Sequence, residues 1–501
     1  MYNAYITRIK NLHKHPNADR LQIGECFGNA VIVSMEYQDN QLGIYFPSDG
    51  QLSVEFAEAN NLLRKKDENG NNIGGYMDPD KRNVTAIKLR GEKSDGLFLP
   101  LKALESFGDI TTLREGAINS FNGHEICCKY VPRAQNRRGH YSSGNKTRKK
   151  KVPVAPLFSE HADTEQLAYN LGAFKPGDEI EITLKMHGTS QRTGYLPVLV
   201  GYKDSSYRRF INKLIMAVKA KKNWGSDGRN ALYHSLKHGE PIYDWGYVSG
   251  TRRTVLENFE GGYYGSNEFR EAHSKFFEGK LNKGEEIFYE VVGYTHTGAP
   301  IMASGDNKKL NDKDFVKQYG QTTVFSYGCE PDGLRLVETE DMIEGVNVYN
   351  EKTPQSDIYV YRMTMTNEDG FTVEYSPDFM RYRCEQIGVK TVPVFAKAIL
   401  NNNGSILYYT TPEGEERFVA KYEEAHIGEA VKDIAEQFYD GPDPVGKTHI
   451  REGVVVRIIN RPKFCAYKHK NWFFKALSGI AVAQVEEGGV DNVSDDILSE
   501  M

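Results

Sequence analysis

Lys185 stands where an alternating run, EIEITL over residues 179–184, stops and a polar turn, Lys185-Met186-His187-Gly188, begins. Such a turn is ordinary strand-ending chemistry, because glycine reaches backbone angles that other residues avoid. A lysine held at a strand end and facing a pocket has a second use, as a nucleophile that bonds covalently to its substrate. Four more stretches carry groups that would serve such chemistry. EEIFYEVVGY presents Glu290 after Ile287 and Phe288, and HIREGVVVRI presents Glu452 ahead of a valine run. FCAYKHKNWFFK presents Lys468 and Lys470 two residues apart, which puts both amines on one face of a strand. YVSGTRRTVLE supplies Arg252 and Arg253 in a turn. Taken singly, an acid in a strand is edge decoration and a Lys-x-Lys pair is a solvated face.

The elements that must position these groups are strands and helices without strict alternation from about residue 157 onward, which predicts an α+β domain with antiparallel sheets. Ahead of it, AYITRI, VIVSM, LGIYF, VTAIKL and GLFLPL are separated by Asn, Asp and Gly turns, the rhythm of a small β-barrel or sandwich. His13 and His15 in that module suggest a metal pair, although histidines in a turn are ordinarily surface residues. KLRGEKSDGLFLP holds Arg90 and Gly91 in a turn open to an anion. Residues 133–151 carry Arg133, Arg137, Arg138, Lys146 and Arg148 through Lys151 with no acid among them. Such a run is a solvated connector or a strap that tracks a phosphate backbone. RRFINKLIMAVKAKKN at 208–223 has the spacing of an amphipathic surface helix. Residues 481–501 form an acidic tail, so the expected division is a module at 1–132, a linker at 133–156, a second domain at 157–480 and the tail.

The totals agree with a globular chain. Of 501 residues, 39% are hydrophobic and 26% charged, and the net charge of −5 argues against a globally basic nucleic-acid binder. No apolar run approaches the roughly 20 residues of a spanning helix, and the first residues lack a signal peptide's apolar centre; a cytoplasmic protein is expected. The six cysteines form no CxxC pair and are expected to be reduced.

His15-Pro16-Asn17-Ala18-Asp19-Arg20-Leu21 resembles the signature of OB-fold tRNA-binding modules attached to some synthetases. In their order along the chain, the residues introduced first resemble the motifs of the covalent nucleotidyltransferase superfamily, the ATP-dependent DNA and RNA ligases and mRNA capping enzymes. Motif I falls on Lys185 and Gly188, the Arg-bearing motif on Arg252, motif III on Glu290, motif IV on Glu452 and motif V on Lys468 and Lys470. An aromatic that stacks on adenine falls on Phe325, with Tyr327, Tyr359 and Tyr361 as alternatives. Within the superfamily the chain is similar to RNA ligases whose OB module precedes the catalytic domain, since motif V ends near Lys475 and leaves too little chain for a later OB fold. LFSEHADTEQL before motif I and VVGYTHTGAPIM after motif III add to the similarity. One departure is His187, where many ligases place Asp or Glu.

The resemblance implies an N-terminal OB-like β-barrel followed by a nucleotidyltransferase domain of ATP-grasp-like antiparallel sheets. It implies ATP with Mg²⁺ or Mn²⁺ as cofactors, and an RNA break with 3′-OH and 5′-phosphate ends as partner. His187, Gly188, Arg252, Glu290, Phe325, Glu452, Lys468 and Lys470 would bind the nucleotide, and Glu452 and Glu290 the metal. An ordinary lysine titrates near about 10.4, so two neighbouring ammonium groups and a divalent cation would be needed to favour the neutral amine of Lys185. The same cations would stabilise charge developing on the α-phosphate. A DNA ligase or a capping guanylyltransferase remains an alternative, as does a non-catalytic RNA-binding protein. The N-terminal module is expected to hold RNA ends while the second domain works on ATP.

Overall fold

The computed structural model describes residues 2–66, 68, 72–130, 153–158, 160–161, 164–203, 240–256, 259, 267–295, 301, 313–319, 342–343, 346–347, 356–410, 415–445 and 450–477. Phe325, the basic stretch at 208–223, the acidic tail and most of the basic linker lie outside the described residues.

In the N-terminal module, strands β1 (Ala4–Arg8), β2 (Lys10–Lys14), β3 (Leu21–Cys26), β4 (Asn29–Ser34), β5 (Leu42–Phe46), β6 (Ala86–Leu89), β7 (Glu92–Asp95), β8 (Leu97–Pro100) and β9 (Gly116–Ile118) alternate with the expected Asn, Asp and Gly turns. They form a four-stranded sheet of order β8-β5-β1-β9, a three-stranded meander β2-β3-β4 and the hairpin β6-β7. Ile9, Cys26, Val31, Val33, Tyr45 and Phe98 form a core shared by the first two sheets. The ladders are separate, so among the described residues the barrel expected here is not closed, and the first two sheets share this core.

The rest of the described chain is organised by two antiparallel sheets. The first comprises β10 (Glu165–Gln166), β11 (Glu179–Leu184), β17 (Val394–Leu400), β18 (Ser405–Thr410), β19 (Glu415–Lys421), β20 (Gly453–Ile458) and β21 (Cys465–Lys470), in the order β10-β21-β20-β11-β17-β18-β19, with only the β10–β21 pairing parallel. Ile180, Ile182, Val454 and Val456 point into a core closed by Ile427, Val431 and Ile434 of helix α3 (Ile427–Glu436). The second sheet has the order β13-β12-β14-β15-β16, from β12 (Thr189–Lys203), β13 (Glu240–Gly250), β14 (Glu285–Gly293), β15 (Ser356–Thr366) and β16 (Thr372–Glu374), and the short strand Lys390–Thr391 adds a parallel pairing to β15. Helices α1 (Glu268–Phe276) and α2 (Pro377–Ile387) cover its apolar side through Phe269, Met380, Cys384 and Ile387. The chain leaves the first sheet at Leu184 and enters the second at Thr189, so Lys185–Gly188 is the turn joining the two sheets. A short helix, α4 (Trp472–Leu477), follows β21 and completes the described chain.

No helix among the described residues is long and apolar enough to cross a membrane. Cys26, Cys127, Cys128, Cys384 and Cys465 are free thiols.

Candidate active site

The strand register brings the first cluster together. β11 pairs with β20 up to Leu184↔Val454, and the ladder continues one step as Lys185 donates its backbone N–H to the carbonyl of Gly453, at 3.0 Å. On the other side of β20, Gly453 faces Lys470 of β21. Lys185, Gly453 and Lys470 therefore form one cross-strand row at the strand ends, with Glu452 just beyond its middle. Glu452 donates nothing and accepts twice at Oε1: from Lys185 Nζ at 2.8 Å and from Lys470 Nζ at 3.0 Å. His187 Nδ1 is 3.5 Å from its other oxygen. Lys468 sits two residues before Lys470, opposite Val455 of β20 and Gln166 of β10.

Two glycines allow this closeness. A Cβ on Gly188 would meet the Val291 carbonyl oxygen at 2.3 Å and Glu290 Cγ at 3.0 Å, so only a glycine lets the turn lie against β14. Gly453 has φ near +141° and a Cβ there would stand 2.0 Å from the His469 carbonyl oxygen, which fixes the residue type after Glu452.

The second sheet supplies the opposite wall. Glu290 lies on β14, paired with Ser190 of β12 and Tyr359 of β15. Tyr361 is the extra residue of a bulge, since Phe288 pairs with Arg362 and Tyr289 with Val360. Bulges re-aim side chains beside functional sites, and here the Tyr361 hydroxyl lies 3.0 Å from Ser190 Oγ. The Tyr361 ring also packs against His161, with centroids 5.6 Å apart. Arg252, exposed in the turn after β13, accepts the backbone N–H of His161 at its carbonyl, 3.0 Å away. Its charge is felt at Glu290, Tyr361 and Lys470.

The two carboxylates of the site are driven apart in acidity. Burial alone would raise Glu452, yet the charges of Lys185 and Lys470 and the His187 hydrogen bond outweigh it and hold the carboxyl well below its ordinary value. Burial pushes Glu290 up to about 7; Glu452 adds to that, while Lys185, Arg252 and Arg270 oppose it. Lys470 is raised despite its burial because Glu452 favours its charged form.

The structure thus gathers Lys185, His187, Gly188, Arg252, Glu290, Glu452 and Lys470, and sets Lys468 on the face that carries Lys470. Arg270 belongs with them and carries no recognisable sequence signal, because an arginine in an amphipathic helix looks like a surface residue. It is 4% exposed on α1, donates to Thr189 Oγ1 at 2.5 Å and to the Ser190 carbonyl at 3.2 Å, and so braces the segment directly after the Lys185–Gly188 turn. His13 and His15 do not form a metal pair. His13 Nδ1 is exposed and contacts the Asn11 carbonyl, whereas buried His15 contacts the Leu89 carbonyl through Nε2 and braces the β6–β7 hairpin. Among the described residues no group of three or more His, Cys, Asp or Glu is placed to hold a metal ion directly.

No protein-family model matches the chain, and no curated protein matches it. Solved structures of an RNA ligase from Naegleria gruberi are similar in outline. A lysine-to-alanine variant with ATP and manganese aligns over 95% of this chain and 99% of that one, at 14% identity and a TM-score of 0.49. The form with pyrophosphate aligns over 93% and 96% at 14% identity and a TM-score of 0.47. A lysine-to-methionine variant with AMP and manganese aligns over 94% and 97%, also at 14% and 0.47.

Proposed function

We propose that this chain is an ATP-dependent RNA ligase working through a lysyl-AMP intermediate on Lys185. The observation that carries the reading is the sharing of one ionised carboxylate, Glu452, by Lys185 and Lys470 at the turn between two sheets. Lys185 Nζ attacks the α-phosphorus of ATP as the neutral amine; the N–P bond forms, the bond to the bridging oxygen breaks, pyrophosphate leaves and the amine's proton passes to solvent. An oxygen of an RNA 5′-phosphate then attacks the same phosphorus, the N–P bond breaks and Lys185 leaves as an amine that takes a proton back from solvent. Finally the 3′-OH attacks the 5′-phosphorus, losing its proton to solvent, sealing the strand and expelling AMP. Glu452, held strongly acidic, orients the amine rather than taking its proton, because a weak base makes a poor proton acceptor. Lys470 stays charged and stabilises the negative charge that grows on the phosphate oxygens.

Mg²⁺ or Mn²⁺, held by Glu452 and Glu290, would add positive charge against the same oxygens. Glu290, which titrates near neutrality, suits a ribose hydroxyl. Tyr361 offers its ring for the adenine, in competition with Phe325. The division into an OB-like nucleic-acid-binding module at 1–132, a linker at 133–156, an adenylyltransferase domain at 157–480 and a tail belongs to the same proposal, as do a cytoplasmic setting and a nicked or looped RNA partner.

Incubation with radiolabelled ATP or GTP tests it. Covalent AMP supports the ligase, covalent GMP would make the chain a capping guanylyltransferase, and absence of any adduct would leave an RNA-binding protein.

A further inference from the structure

The N-terminal module does not hang free of the second domain. Tyr169, just after β10, stacks on Tyr5 with centroids 4.6 Å apart and meets Phe27 edge-on at 5.2 Å, so one residue of the second domain enters an aromatic recess of the first. At the other end of β21, Asp95 of β7 receives Lys475 Nζ of α4 at 2.5 Å, and this pair is largely buried, with side chains 8% and 18% exposed. Ser48 donates to the second oxygen of Asp95 at 2.7 Å, and the Tyr45 hydroxyl donates to its carbonyl at 2.6 Å, so the module holds this carboxylate in place from its own side. Lys93 lies over the Phe473 ring at 4.2 Å.

The opposite side of α4 forms part of the candidate active site. Phe474 meets the His187 ring edge-on at 4.8 Å. Asn471, which leads into the helix, donates its backbone N–H to the Glu452 carbonyl at 2.9 Å and accepts the Phe473 N–H at its side chain, 2.8 Å away. Helix α4 is thus a wedge with the module on one side and His187, Glu452 and Lys470 on the other. Asp49, in the module's turn after β5, adds a negative field that reaches Lys470.

We propose that Asp95 and Lys475 are positioning residues for the nucleotide-transfer step: this ion pair fixes α4 and thereby sets His187, Glu452 and Lys470. The inference rests on the reading of Lys185 as the nucleophile. A buried pair that loses one partner leaves a charge without compensation, and a shift of about 1 Å in reacting groups costs roughly 100-fold in rate.

The test uses the full chain with Asp95→Asn, Lys475→Met, the double variant and Lys475→Arg, in single-turnover formation of covalent nucleotide. Asp95→Asn and Lys475→Met are each expected to slow transfer roughly 10- to 100-fold at saturating ATP while the half-saturating ATP concentration changes less than about threefold. The double variant should be no slower than the worse single one, and Lys475→Arg should recover most of the rate because the ion pair survives. Unchanged rates, or losses that multiply in the double variant, overturn the proposal. Amide hydrogen exchange of residues 471–475 is measured in parallel and needs no activity. Faster exchange in Asp95→Asn supports the wedge and equal exchange refutes it, even if the wild-type chain forms no adduct and the reading of Lys185 itself fails.

Discussion

The two sheets that meet at the Lys185–Gly188 turn treat their acids in opposite ways. On the first sheet, Glu452 is surrounded by Lys185, Lys470 and His187 and stays ionised in spite of burial. Beneath that sheet Glu436 of α3, partly buried but hydrogen-bonded to His469 and Lys432, falls to about 2. On the second sheet, burial pushes Glu290 and Glu286 up to about 7 each, and Glu286 remains there although Arg192 donates to it at 2.9 Å. One wall therefore carries fixed charge, and the other carries groups that change protonation near neutrality. Acids driven apart in this way take different chemical tasks.

The strongest way to break that contrast is to remove the nucleophile. Lys185→Ala is expected to abolish the covalent adduct, and Lys185→Arg likewise, since a guanidinium stays protonated at any working pH; adduct formation by either variant, followed on a gel, would show that the first wall does not supply the attacking amine. Next comes the fixed charge. Glu452→Gln and Lys470→Ala should each lower the rate of transfer roughly 100- to 1,000-fold, the loss expected for one preorganised electrostatic group, with circular dichroism unchanged. On the second wall the effect should fall on binding. Tyr361→Ala is predicted to raise KM for ATP roughly 10-fold, in the range of one lost base-stacking contact, while Tyr361→Phe stays within about threefold. Phe325→Ala measured beside it decides which ring carries the adenine.

Stability against pH separates the walls without any substrate. Glu286 has its acidity weakened in the folded state, so its contribution is fully present below the ordinary value of 4.5 and is lost as pH rises through about 7. Glu436 has the opposite sign: its contribution is present above 4.5 and is lost as pH falls through about 2. Between pH 5 and 8 the Tm of the wild type should therefore fall relative to that of Glu286→Gln, and between pH 4.5 and 2 it should fall relative to that of Glu436→Gln. A flat difference across either range contradicts the corresponding assignment. The smallest effect is expected at Lys88, whose pair with Asp314 is 3.0 Å long but leaves the acid 66% exposed. Lys88→Ala should cost at most about 1 kcal/mol by denaturant titration.

The same two walls differ in how much of them the sequence discloses. Lys185, Glu452 and Lys470 stand at the ends of strand-like runs, and once those strands are neighbours their register alone brings the three groups together. Glu290 was visible as an acid inside an apolar strand-like run, and the α+β character from residue 157 onward followed from the mixture of elements. Tyr361 could be named but not preferred, because the bulge that re-aims it depends on how β14 and β15 are paired. Arg270 had no signal, since its helical neighbours do not distinguish an inward guanidinium from a solvated one. Asp95 and Lys475 are 380 residues apart, and only the packing of the module against α4 makes them partners. Turn spacing left a barrel and a sandwich open, because it counts strands but does not determine whether their ladders join, and the barrel was implied by the resemblance alone.

The central claim is that Lys185 carries the nucleotide. After incubation of the full chain with ATP and magnesium, peptide mass spectrometry should locate AMP on the peptide containing Lys185, with fragmentation assigning it to that side chain and with pyrophosphate reversing the modification. AMP found on Lys468, Lys470 or any other lysine, or no modified peptide at all, would contradict it.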